Sequence, residues 1–191
     1  KVGVITMLAV SIVIVRPVIS VPAMSVYAHT GTGPVFSGKL FPFLFVTIAC
    51  GALSGFHATI ASGTTPKLIE KESQARLIGY GGMLMESFVA IMALVAALSV
   101  DRGIYFAMNS PAGATGNTVQ SAVTYVNSLG LTGVRTDSNA LTTTANLVGE
   151  TSIISRTGGA PTLAVGLATI MHRLFGGQAM MSFWYHFAIM F

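Results

Sequence analysis

The chain has 191 residues, of which 52% are hydrophobic and only 8% charged, with a mean hydropathy of +0.73. Soluble domains carry about 25% charged residues, so this composition excludes an ordinary soluble domain and reads as an all-α integral membrane protein. The formal charge of +4 comes from ten Lys and Arg residues, mostly single residues between apolar runs, which suits anchors at membrane edges and excludes a nucleic-acid patch.

The first predicted element is apolar, Val2 to Val15. It lacks a charged leader segment and an A-x-A exit, and it reads as the tail of a membrane helix leaving the bilayer near Arg16. The chain opens at Lys1 without an initiator Met and stops at Phe191 inside an uncharged aromatic run, so a segment of a longer protein is expected. From Pro17 to Lys39 the density of Pro17, Pro22, Pro34, Gly31, Gly33 and Gly38 blocks regular helix and predicts a connector. The GxG within His29–Pro34 has no strand before it and no helix of the dinucleotide-binding kind after it, so it is weak as a phosphate loop.

Phe41 to Lys67, FPFLFVTIACGALSGFHATIASGTTPK, begins as a phenylalanine-rich membrane helix and turns into small and hydroxyl residues before any charge appears. At about 100° per residue, Gly51, Ser54, Gly55, Ala58 and Ser62 share one face, with Thr47 one turn earlier. A face with almost no side chains lets another helix approach closely or leaves a groove in which a solute meets backbone. The residues fit either. Gly63-Thr64-Thr65-Pro66 interrupts the helix with freed carbonyls and hydroxyls, and Thr65 with Pro66 behind it reads as the start of a short helix.

The following turn carries Lys67, Lys71 and Arg76, which favour the cytoplasmic side, but Arg16, Lys39, Arg102 and Arg156 flank the opposite side and leave orientation open. Leu77 to Val100 has the length a bilayer core needs, with Gly79, Gly81 and Gly82 at its entry and one charge, Glu86, within it. Residues 101–152 are rich in Ser, Thr, Asn and Gly and read as an extramembrane loop with some helix, with Asn109-Ser110-Pro111 and Asp137-Ser138-Asn139 as turns or caps. After SRTGG at Ser155 to Gly159, the apolar run Thr162 to Phe175 is too short to cross alone. It is either a half-helix or a helix reaching back to Ile153. Gly176-Gly177 breaks the chain before a last pass. The expected membrane helices are thus about 2–16, 41–63, 77–100, 153–175 and 178–191, with a loop at about 101–152, in a single membrane domain.

Polar groups at membrane depth are functional candidates by default, each weighed against packing. Gly51, Ser54, Gly55, His57, Ser62, Thr64 and Thr65 could hold a carboxylate or ion against exposed backbone, as discontinuous transporter helices do. His57, whose ordinary pKa near 6.5 suits a relay, and Glu86, an acid that desolvation favours in its neutral form, are the proton-coupling candidates. The competing readings are a packing histidine and a structural ion pair. His172 and His186 sit among aromatic or basic neighbours and read as interface anchors. With Cys50 as the one cysteine, no HExxH and no histidines at i, i+4, neither a metal site nor another cofactor site is expected. The absence of a G-x-S-x-G elbow removes a serine hydrolase, and no catalytic residue is assigned.

The run Phe41 to Ala97, with SGFHATIASGTTPK at its centre, closely resembles the carbon starvation protein (CstA) family, as do YFAMNSPAG at Tyr105 to Gly113, SRTGGAPTLAVG at Ser155 to Gly166 and the FWYHFAIMF ending. The loop between about Ala114 and Asn146 has no such match. The resemblance implies a bacterial inner-membrane, multi-pass transporter expressed under carbon limitation, tied to uptake of peptides and, in close relatives, of pyruvate with protons. It also implies a polytopic fold with broken helices of the amino-acid/polyamine transporter kind, and a parent longer than this chain. Expected partners are peptide or pyruvate, protons, the lipid bilayer and the remaining helices of the parent, without nucleic acid. The alternatives are a membrane redox subunit binding haem or quinone through His57, His172 and His186, and a nutrient sensor that moves nothing.

Overall fold

In a computed structural model, the backbone is described for residues 2–19, 21–53 and 58–190, and side chains for residues 3–19, 21–49 and 58–190. Every regular element among the described residues is helical. The chain divides into two compact units, Met24–Ala90 and Lys1–Ala23 with Ile91–Phe191. The boundary falls inside the longest helix.

In the unit Met24–Ala90, the Pro/Gly-rich connector closes on itself. Gly38 donates its amide to Gly31 O at 2.8 Å and Leu40 to Ala28 O at 3.2 Å. Gly31 has φ +71°, a left-handed value that suits glycine. Helix α2 (Leu40–Leu53) is interrupted at Phe41, with φ −109° and ψ 131°. The residue before a proline is pushed out of the helical region by the ring, so regular helix starts only at Pro42. Farther on, Ile60–Thr64 forms a π-turn that continues directly into α3 (Thr65–Leu68), with Pro66 in its first turn. The expected break at Gly63–Pro66 therefore takes the form of a widened turn, with Thr64 rather than Thr65 at the cap position and no side-chain cap bond.

Helix α4 (Ser73–Leu98) has 26 residues, about 39 Å at 1.5 Å per residue. It is the one helix among the described residues long and apolar enough to cross a membrane. The other apolar helices, including most of α1 (Val2–Val15), are shorter than a crossing needs. Arg16, at φ +48°, ends α1.

In the other unit the helices are α1, the end of α4, α5 (Arg102–Asn109), α6 (Ala112–Thr115), α7 (Val119–Ser128), α8 (Ser138–Val148), α9 (Ala160–Met171) and α10 (Met181–Met190), the last preceded by a 3-10 turn at Gln178–Met180. Helix α9 is the hub, packing against α10, α1 and α5. It also meets the end of α4 through Gly166, where a Cβ would collide with the Ala96 carbonyl. Small residues make this approach possible: Ala96, Ala164 and Ala168 are fully buried.

Residues 101–152, expected as a loop with some helix, fold into α5 to α8. Asp101 caps α5 by accepting from the amides of Gly103 and Ile104 at 2.9 and 3.2 Å. Thr118 and Ser121 form a capping box at α7. Asp137 caps α8 through the Ala140 amide at 2.6 Å. The α7–α8 hairpin is closed by Asn127, which donates to Thr136 O at 2.9 Å and accepts from the Thr136 amide at 3.1 Å. Its apolar faces, with Ala122, Val126, Leu141 and Val148, are buried.

Candidate functional site where two chain breaks meet

The break after α5 follows from Ser110-Pro111. Pro111 forces Ser110 into an extended conformation, φ −74° and ψ 140°, and the helix ends at Asn109. The second break is the strap 150–159, which leads into α9 without helix, so α9 starts at Ala160 as a short helix and does not reach back to Ile153. The strap holds Ser155 at φ +52° and Gly158 and Gly159 at +110° and +84°. The last two are values that side chains rarely tolerate.

Hydrogen bonds tie the two breaks together. Asn109, 7% exposed, donates from Nδ2 to the Tyr105 carbonyl at 2.9 Å and to Thr162 Oγ1 at 2.7 Å. The Ser155 amide donates to Ala107 O at 2.9 Å, and Ser155 Oγ lies 2.6 Å from Thr115 Oγ1. Ser110 is fully buried, yet its hydroxyl has no hydrogen-bond partner among the described residues. A buried polar group left unpaired costs about 1–3 kcal/mol. Nearby, burial holds the Tyr105 phenol above its ordinary pKa, so it stays neutral and brings no charge to this polar cluster.

The strap also carries the ion pair seen among the described residues. Arg156 Nη2 donates to Glu150 Oε2 at 2.9 Å, with side chains 42% and 22% exposed respectively. The Tyr185 phenol of α10 is buried and lies within electrostatic reach of both. On the other side of Glu150, Gly149 packs against Ser182 and His186 of α10. His186 Nδ1 is 2.8 Å from the Ser182 carbonyl. Helix α9 has Gly159 at its cap position, no side-chain cap and Pro161 in its first turn. Among the described residues, no side chain caps its first amides.

The residues singled out by sequence are placed differently. Ser54, Gly55 and His57 lie outside the described residues. Gly51 belongs to the backbone of α2. Ser62, Thr64 and Thr65 share the π-turn region, where Ser62 Oγ donates to Ala58 O at 2.7 Å. Such widened turns recur at functional sites. Glu86 is exposed on α4, and among the described residues no hydrogen bond links it to the π-turn hydroxyls. His172 follows the end of α9, and His186 belongs to α10. A separate hollow of about 140 Å3, with Val15, Ser99, Thr169 and Arg173 in its lining, sits where α1, α4 and α9 end.

The site at the two breaks was not assigned from sequence. The sequence marks Asn109-Ser110-Pro111 as a turn or cap and SRTGG as the lead into an apolar run, but nothing in it brings the two stretches together. The family model for carbon starvation protein CstA matches residues 1–191. The chain belongs to the carbon starvation protein CstA family.

Within that family, the chain is 57% identical to the peptide transporter CstA of Escherichia coli strain K12, over its whole length and 27% of the relative's. It is 56% identical to the peptide transporter CstA of Mycobacterium tuberculosis strain H37Rv, covering 25% of it. It is also 49% identical to the pyruvate/proton symporter BtsT of Escherichia coli strain K12, covering 29% of that protein. The chain thus spans about a quarter of the length of these relatives. No solved structure matches it. The names of these CstA-family relatives are those of transporters, and they give no support to the redox or sensor alternatives.

Proposed function

We propose that the chain is part of a polytopic, inner-membrane secondary transporter that imports a carboxylate-bearing nutrient, a peptide or pyruvate, together with protons. The observation that carries this reading is the family match along all 191 residues, joined to relatives named for peptide transport and pyruvate/proton symport. The helix break at Ser110-Pro111, the π-turn leading into Pro66 and the non-helical strap before α9 support it. A broken helix exposes backbone donors and acceptors that bind a solute without covalent chemistry. An amino-acid/polyamine-transporter-like arrangement, completed by the remaining helices of the parent in the bilayer, is part of this proposal. No enzymatic step is assigned.

Sequence chemistry proposes Gly51, Ser54, Gly55, His57, Ser62, Thr64 and Thr65 for the solute and His57 or Glu86 for the proton. The test is uptake of labelled pyruvate and of a labelled dipeptide into proteoliposomes of the intact parent, with and without an inward proton gradient. Gradient-driven accumulation of either is the expected result. Binding without accumulation or counterflow overturns the transporter reading. Proton-driven uptake that survives Glu86→Gln removes Glu86 from the proton path.

A further inference from the structure

Where the two breaks meet, two groups are held at a cost. Ser110 is fully buried, and its hydroxyl has no hydrogen-bond partner among the described residues. Ser155, on the strap, has φ +52°, a left-handed value that a residue with a Cβ adopts only against steric resistance. Such costs collect at switch regions, where the surrounding structure enforces them. We propose that the strap is a latch: clasped at Ser155 it holds the Ser110-Pro111 break shut, and its release opens the break and exposes the Ser110 hydroxyl. That this release is a step of the transport cycle rests on the transport reading above.

The clasp is one residue that reaches both arms of the break. The Ser155 amide donates to Ala107 O of α5 at 2.9 Å, and Ser155 Oγ lies 2.6 Å from Thr115 Oγ1 of α6. Ala107 precedes Ser110 and Thr115 follows it, so Ser155 staples the chain on either side of Pro111. Thr115 is buried while Ala112 to Ala114 are exposed, so α6 enters the junction through Thr115. The strap itself has an anchored end and an open one. Ile153 is buried, whereas Thr157, Gly158 and Gly159 are exposed, and a Cβ at either glycine would meet nothing within 4 Å.

The balance of forces brings the closed and open states close together. A hydrogen bond exchanged for water gives up only a modest net gain, whereas an enclosed hydroxyl without a partner bears its full desolvation penalty. Release of Ser155 therefore loses two modest bonds and removes two comparable costs, at Ser110 and Ser155. That is the condition for a two-state element. The Ser110 oxygen is shut off from solvent, so neither a solute nor the parent's other helices reach it while the latch is closed. Asn109 holds Thr162 at 2.7 Å, which keeps the end of α5 on the first turn of α9. The parts that move are the strap between Ile153 and Gly158 and the short α6.

The test uses the intact parent in lipid, with hydrogen exchange of the Ser155 amide resolved by fragmentation mass spectrometry and uptake of pyruvate and a dipeptide measured in proteoliposomes. In the unmodified protein the Ser155 amide should exchange through local opening, about tenfold or more faster than the buried turns of α9. Exchange as slow as α9 overturns the proposal without any variant having to fold. Ser110→Ala removes the unpaired oxygen, so it should slow exchange at Ser155 by about fivefold or more, the low end of what such a group costs, and slow uptake with it. Thr115→Val breaks the clasp and should speed exchange by about two- to tenfold. A hydroxyl that merely supports the fold gives the reverse for Ser110→Ala, faster exchange, and that result overturns the latch. So does slower exchange with uptake unchanged. If the unmodified protein transports and Ser110→Ala leaves exchange as it was, the latch fails and the transport reading stands. If both variants shift exchange as expected but the unmodified protein carries neither solute, the transport reading fails and with it the latch's place in a transport cycle.

Discussion

At the scale of single residues, the tightest constraints fall on positions with no side chain. A Cβ at Gly166 would meet the Ala96 carbonyl, and one at Gly103 would meet the Arg135 backbone and the Thr136 side chain. Backbone cannot step aside as a flexible side chain can, so Gly166→Ala must push α9 off the end of α4. The expected cost is about 1–3 kcal/mol, the range for overpacked cores, read as a lower thermal midpoint of the intact protein in detergent. Gly113, in α6, is the control, because a Cβ there meets nothing within 4 Å. Gly113→Ala should be neutral or stabilising by up to about 1 kcal/mol. Equal losses in both variants would show that α9 does not rely on this approach.

At the scale of elements, the Asp137 cap and the Ser110-Pro111 break were legible, the Thr65 cap was not found, and the joins were not legible. Asp137 and the Ser110-Pro111 break follow from local chemistry, because a carboxylate reaches amides two or three positions on and a proline constrains its neighbour. Asn109 and Thr162 are 53 positions apart, and no periodicity relates two polar side chains at that distance. Glu150 and Arg156 stand six apart, outside the i, i+3 and i, i+4 spacings that put pairs on one helix face. Glu86 was conspicuous because an apolar helix surrounded it, whereas Glu150 lay in a polar stretch that masked it. The Asn109–Thr162 bond should hold the end of α5 to the first turn of α9. A double-mutant cycle of Asn109→Ala and Thr162→Val is expected to give a coupling of about 0.5–3 kcal/mol in unfolding of the intact protein. Additive losses would mean that the elements are held by apolar packing alone.

At the scale of the whole molecule, composition pointed to a membrane-type chain and the structure shows the described elements as helical, while the number of crossings rests on lengths that the structure divides unequally. Helix α4, at 26 residues, exceeds the roughly 30 Å hydrocarbon core, whereas α9 has 12 and reaches about 18 Å at 1.5 Å per residue. Apolar residues along α4 such as Leu77, Tyr80, Leu84 and Phe88 are exposed, the surface that lipid or the parent's other helices would cover. If α4 crosses the bilayer, the turn around Lys71 and the α6–α7 connection at Asn117 must lie on opposite sides, whichever side is cytoplasmic. Lys71→Cys and Asn117→Cys, introduced singly into a cysteine-free version of the intact protein, should react with a membrane-impermeant maleimide from opposite faces of sealed vesicles. Labelling of both from one face would mean that α4 does not span, and the charges at Lys67, Lys71 and Arg76 would then lose their meaning as a guide to orientation. Opposite labelling would also identify which face Asn117 belongs to.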